Sequence, residues 1–248
     1  VMPYAEHAAR LHSWIPLANK GIELRPVVPK DIDHGITADE LIASVDDRTE
    51  AILTSVIQFW DGAYVDIERL GTFCREKGLL LVVDAIQAVG RINVDVRRMN
   101  IDYLACGSHK GLLSMDCGSG ILYCKRGLEE KITPPYNGME GTTRRSHIYE
   151  PGGCVLHYRQ GARKLEGGSS STLGAMMMAE GCRFIESIGI DNIEEHILDL
   201  EKYLLDRLGN LEQIRVAGDK MSGIIMLDFE ENDREKVTQI LNNHKINA

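Results

Sequence analysis

The chain has 248 residues, 44% hydrophobic and 26% charged, an ordinary globular balance with enough material for a large core. Its 37 acidic and 28 basic residues leave a formal net charge of −9, which argues against a nucleic-acid binder that works by neutralising phosphates. The longest apolar run, residues 78–83, suits a buried strand and is far too short to cross a membrane. Six cysteines (Cys74, Cys106, Cys117, Cys124, Cys154, Cys182) form no CxxC pair and read as reduced thiols of a cytoplasmic protein.

In chain order, Val1 to His7 enters in the middle of an organised segment, and Lys245 to Ala248 stops as an apolar strand begins. Both ends therefore read as cut. Ile22–Val27 reads as a short strand ended by prolines. Asp39–Val45 reads as a helix whose N-cap is Thr37, with Glu40 three residues on completing a capping box. Ala51–Val56 reads as a buried strand. Asp66–Lys77 is an amphipathic helix with Ile67, Leu70 and Cys74 on one face, stopped by Gly78. Leu79–Val83, Ile101–Cys106 and Gly120–Cys124 are further strands. Alternation of this kind predicts an α/β fold of three layers, a mostly parallel sheet with helices on both faces.

Residues 133–171 are rich in glycine and proline and read as loops near a site or an interface. Helices follow over residues 173–188 and 193–208, then a strand over Gly223–Phe229 and a helix over Asp233–Asn242. The division expected is a large domain over residues 1–190, and a linking helix with the beginning of a smaller α/β domain over residues 191–248. The methionines of the run Met176-Met177-Met178 are expected to pack in the core or an interface.

The chemistry is expected where strands end. Asp84 follows the buried run, at the carboxyl end of a parallel strand, where open α/β sheets bind ligands. Gln87 and Gly90 follow it. The strand ending at Cys106 then delivers Gly107-Ser108-His109-Lys110-Gly111. A lysine in such a turn must lay its stem in a pocket. Pyridoxal phosphate (PLP) chemistry needs these parts: an amine that loses its proton readily, a carboxylate to hold the pyridine nitrogen protonated, and backbone amides and hydroxyls for the phosphate.

At these residues the sequence resembles the class V aminotransferases, the fold type I group that includes cysteine desulfurases, selenocysteine lyases and isopenicillin N epimerase-like proteins. The likeness rests on Asp84-Ala85-Ile86-Gln87-Ala88-Val89-Gly90 and Gly107-Ser108-His109-Lys110. Glu6-His7, residues 56–62 and Leu165-Glu166-Gly167-Gly168-Ser169 add to it. The resemblance implies that Lys110 carries the cofactor as a Schiff base and that Asp84 partners the pyridinium. Gln87 would bond the phenolic or a phosphate oxygen, His109 and Ser108 would contact the phosphate, and His7 would stack on the ring. Ser169 would reach the phosphate of a neighbouring subunit, which implies a homodimer with a shared site. Two departures stand out. Gly107 replaces a usual Ser or Thr, and Ser114-Met115-Asp116-Cys117-Gly118 replaces a Gly-Pro turn.

The family's Gly-Thr phosphate loop, substrate-carboxylate arginine and desulfurase cysteine would fall outside residues 1–248, so this stretch alone is expected to hold PLP poorly. The function implied is an enzyme acting on an amino acid by transamination or lyase-type elimination. An inactive fold type I scaffold serving as a binding or assembly subunit is the alternative. Arg144 and Arg145 form a basic spot near the entrance in this layout. The histidines show no HExxH spacing, so no metal site is expected, nor any nucleic-acid or membrane partner. Cys106, inside a strand, is expected to pack.

Overall fold

A computed structural model describes residues 1–31, 33–143, 156–169, 171–209, 211, 214–217, 221–229 and 234–246. Arg144, Arg145 and Cys154 lie outside the described residues. The first elements are β1 (Met2–Pro3), α1 (Ala8–Ala18) and β2 (Pro26–Val27), and β1 pairs with β2 in parallel. The strand expected over Ile22–Val27 thus shrinks to two residues. Pro26 has no N–H to give a ladder, and Ile22 lies exposed to solvent. Helix α1 has no counterpart in the sequence reading; it carries Pro16 near its end and buries no residue completely, so no apolar stripe announces it.

The expected capping box closes around α2 (Ala38–Ala43): Glu40 N–H donates to Thr37 Oγ1 at 3.2 Å, and Thr37 N–H donates to Glu40 Oε2 at 2.9 Å. Strand β3 (Ala51–Ser55), helix α3 (Ile67–Lys77) and strand β4 (Leu80–Asp84) then form a βαβ unit. Asp66 caps α3 by accepting from Arg69 N–H at 2.9 Å, and Gly78 ends it in the left-handed conformation. The buried face of α3 is the Ile67, Leu70 and Cys74 stripe that the periodicity gave.

Strand β5 (Tyr103–Gly107) joins β4 in parallel, with Asp84 opposite Ala105. Strand β6 (Gly120–Cys124) is antiparallel to β5, with Gly120 opposite Gly107. A parallel return needs a crossover, usually a helix, and residues 108–119 hold none. The sheet is therefore mixed: parallel β3, β4 and β5 with an antiparallel edge. Leu53 N–H donates to Val1 O at 3.0 Å, which continues the pairing towards β1.

Leu41, Ile52, Ile67, Leu70, Leu81 and Ile101 are fully buried in the core between helix and sheet. Each such side chain contributes about 1.5–3 kcal/mol of transfer free energy. Helix α4 (Thr172–Ile188) adds Met178 and Ile185 to the margin of this core, whereas Met176 stays exposed, so the methionine run is only partly packing. Gly189 separates α4 from α5 (Ile190–Leu208). Asn93 ties α5 back, its N–H to Glu194 at 3.0 Å and its amide to Asp191 at 3.0 Å. A separate antiparallel pair, β7 (Arg215–Ala217) and β8 (Met226–Asp228), precedes α6 (Arg234–Asn243). Among the described residues no helix is long and apolar enough to cross a membrane.

Candidate active site

Strands β4 and β5 are parallel neighbours, so their carboxyl ends deliver Asp84 and the turn 107–111 to the same edge of the sheet. Asp84 is the last residue of β4. Its Oδ1 accepts from Ile86 N–H at 2.9 Å, and its Oδ2 lies 3.7 Å from Arg10 Nε. The half-buried Lys110 places Nζ 5.6 Å from the centroid of the Phe59 ring. Burial pushes the Lys110 amine below the ordinary lysine range. Asp84 opposes that shift and Arg91 adds to it. A lysine in this condition sheds its proton more readily than one on the surface, which is what a nucleophilic amine requires.

The two loops are held together by their glycines. A Cβ at Gly90 would press into the Gly111 carbonyl, and one at Gly111 into the Val89 carbonyl. The loops touch backbone to backbone. Their shared cleft, about 580 Å³, is lined by Gln87, Gly90, Arg91, Lys110, Phe184 and Ile224 among others. Arg91 spans it, donating to Gln87 O and to Ser222 O at 2.9 Å each.

His7 reaches the same place through an aromatic contact: its ring meets Phe59 edge-on, with centroids 4.6 Å apart. Ser108 is fully buried, and its hydroxyl lies 3.0 Å from Asp116 O and 2.9 Å from Ser119 O. Its single proton is thus engaged in bracing the loop to β6. His109 is exposed beside Gly107. A Cβ at position 107 would lie 3.0 Å from both the His109 ring and the Ile86 side chain, so glycine there lets the two pack together. Ser169 is apart from these residues; it is exposed and lines a different depression with Glu140, Arg159, Arg163 and Glu166.

Gln87 and Lys110 therefore line one cleft, Asp84 is coupled to Lys110 by charge and His7 is joined to Lys110 through Phe59, while Ser108 and His109 flank the turn. The sequence reading did not assign roles to Phe59, Arg10 or Arg91. The one available signal for Phe59 was an aromatic pair, Phe59-Trp60, in a turn where small polar residues are usual. Cys106, beneath the lysine, is buried; burial, with Asp84 and Cys182 adding, holds its thiol up at about 11, so it stays protonated and unreactive at neutral pH. No group of three or more His, Cys, Asp or Glu among the described residues could hold a metal ion.

A mostly parallel α/β sheet whose neighbouring parallel strands end in a carboxylate and a lysine-bearing turn is the architecture of the large domain of fold type I enzymes. The chain belongs to the class V aminotransferase family, whose profile (Aminotransferase class-V) matches residues 1–248. A probable cysteine desulfurase of Pyrococcus abyssi is 30% identical over 252 residues, covering 98% of this chain and 59% of that protein. Another from Methanothermobacter thermautotrophicus is 26% identical over 250 residues, covering 97% and 59%. Among solved structures, a cysteine desulfurase of Escherichia coli superposes with a TM-score of 0.85 at 22% identity, over 99% of this chain and 59% of that one. The apo cysteine desulfurase of Thermococcus onnurineus gives 0.81 at 24% identity, over 99% and 60%. These last two likenesses carry the fold. The chain spans about three fifths of the length of the curated relatives it matches.

Proposed function

We propose that this chain forms the core of a PLP-dependent enzyme acting on an amino acid, by transamination or by lyase-type elimination of the cysteine desulfurase kind. The observation that carries this reading is the Lys110 amine, which lines the cleft, has its proton affinity lowered by burial and is coupled by charge to the strand-end Asp84. The residues present fit the cofactor. Asp84 Oδ2 has a single long contact, to Arg10, and so keeps an acceptor position for a ring N–H. Inert packing has no need of such a lysine, which disfavours the inactive scaffold.

When bound, PLP supplies an electron sink that allows a bond at the α-carbon of an amino acid to break. Lys110 anchors the cofactor and then moves the proton at that carbon, as base and as acid. Asp84 fixes the protonated ring nitrogen by charge. His7, in contact with Phe59, would stack on the ring, Gln87 would donate to the phenolic or a phosphate oxygen, and His109 would contact the phosphate. Ser108 serves by shaping the turn that carries His109 and Lys110. The division at about residue 190 separates this cofactor-binding part from the start of the smaller domain. A cysteine pattern with no CxxC pair in a chain of this size supports a cytoplasmic location.

Ser169, apart from Lys110 in its own chain, serves the phosphate of a second subunit across a two-fold axis, so the working form is a homodimer with shared sites. Ser169→Ala is expected to weaken PLP binding about tenfold, the value of one hydrogen bond to a charged group, with no change in unfolding midpoint. Equilibrium dialysis of the full-length gene product checks this, and unchanged affinity counts against a shared site.

The function itself is tested by adding PLP to the full-length gene product and assaying an amino-acid panel for keto acid, alanine and sulfide. A saturable visible band and turnover of at least one amino acid are expected. Failure to form any band overturns the reading.

A further inference from the structure

Behind Asp84 lies a second, buried layer of charge. The Glu6 side chain is wholly buried, and its two oxygens accept from Ser55 N–H and Ser55 Oγ at 3.0 Å each. Gln58 Nε2 approaches the same carboxylate at 3.4 Å. Arg10 Nη1 donates to Glu6 Oε2 at 3.0 Å and to Ser55 Oγ, and the guanidinium lies 4.5 Å from the centroid of the Trp14 ring. Held on three sides, Arg10 turns its remaining edge to Asp84, Nε to Oδ2 at 3.7 Å. The order from the interior outwards is anion, cation, anion: Glu6, Arg10, Asp84.

We propose that Arg10, aimed by Glu6, is a positioning residue that fixes the Asp84 carboxylate and offsets part of its charge towards the cleft. The inference rests on the reading of Asp84 and Lys110 as ring partner and anchor of PLP. A carboxylate with a guanidinium behind it stabilises a cationic cofactor less than a bare carboxylate does. Glu6 restores part of that stabilisation by neutralising the guanidinium in turn. The pair acts as a setting for the ring's electron demand, and a guanidinium suits this role because it stays charged when buried.

Among the described residues, the charged and titratable groups coupled to Asp84 come from three elements. Arg10 comes from α1, with Glu6 behind it. Cys106 comes from β5, with Cys182 beyond it, and Lys110 comes from the turn after β5, with Arg91 beside it. Cys106 remains protonated across the neutral range, and Lys110 is joined to the cofactor once PLP is bound. The Arg10 and Glu6 charges are therefore the pair that acts on the site through Asp84, while Arg91 acts on the Lys110 side.

The test is the pH midpoint of the visible band in the PLP-loaded, full-length gene product, together with the dissociation constant for PLP. Arg10→Met removes the positive charge and uncovers Glu6, so the midpoint rises by about half to one unit. Glu6→Gln leaves the guanidinium uncompensated, so the midpoint falls by a similar amount. Arg10→Lys keeps the charge and keeps the midpoint near that of the unaltered protein. Because Arg10→Met strands a buried carboxylate and can fail to fold, the double variant Glu6→Gln/Arg10→Met removes both charges at once; its midpoint also rises, by less. A merely structural role moves the single variants in the same direction or not at all, and either result overturns the proposal. An unaltered protein that forms no visible band overturns the underlying reading of Lys110 instead, so the two failures are distinguishable.

Discussion

Replacing Lys110 by alanine is expected to abolish the visible band of the PLP-loaded protein and to lower turnover by about a thousandfold or more, while leaving the fold intact. The amine is asked to do two things, to anchor the cofactor and to move a proton at the substrate carbon, and neither Cys106 nor Arg91, which are coupled to it by charge, can take over its anchoring. Cys106 is held protonated, and Arg91 has its guanidinium committed to Gln87 O and Ser222 O. Removing the amine also removes a cation that burial disfavours, so the unfolding midpoint should hold or rise. Absorbance titration, steady-state assay and thermal melting check the three parts. A Lys110→Ala protein that keeps the band with a normal melting curve would remove the anchor from this position.

The second large effect is expected at Gly90. Its φ is +84°, where a β-branched residue is strained, and a Cβ there would press into the Gly111 carbonyl. Gly90→Val is expected to destabilise the protein by about 3–5 kcal/mol, combining backbone strain with a backbone clash that no side-chain rotation relieves. Any variant that folds must push the turn 107–111 outwards, and Lys110 with it. Cofactor affinity should therefore fall along with stability. Urea denaturation measures the first and PLP titration the second. A Gly90→Val protein that unfolds at the same urea concentration as its parent would refute the close contact between the two loops.

The parts of the site that were legible in the sequence are those where one local rule acts alone. Asp84 could be placed because Leu79–Val83 is an apolar run with one polar terminator, and Lys110 because it follows the next such run in a glycine-rich turn. Thr37 and Glu40 specify a cap by spacing alone, and the α3 stripe specifies a face. The parts that were not legible depend on tertiary neighbours. Helix α1 is held by Arg10, Glu6 and Ser55, contacts that span from four residues to nearly fifty along the chain, and no periodicity records them. The antiparallel direction of β6 follows from the missing crossover helix, a signal present in residues 108–119 but outweighed by the parallel alternation before it. The resemblance implies a phosphate contact for Ser108; its hydroxyl lies against the carbonyls of Asp116 and Ser119, neighbours that only the folded loop brings near. Phe59 could not be linked to His7 or Lys110 before β3, α1 and the β5 turn were assembled.

The most direct test of the Lys110 anchor is chemical. The PLP-loaded, full-length gene product is reduced with borohydride, which fixes the cofactor to whichever amine holds it, and then digested for peptide mass spectrometry. The account predicts a single modified peptide carrying the pyridoxyl mass on Lys110. Modification of Lys164 (a buried lysine 3.9 Å from Glu130), or a label scattered over surface lysines, would contradict it.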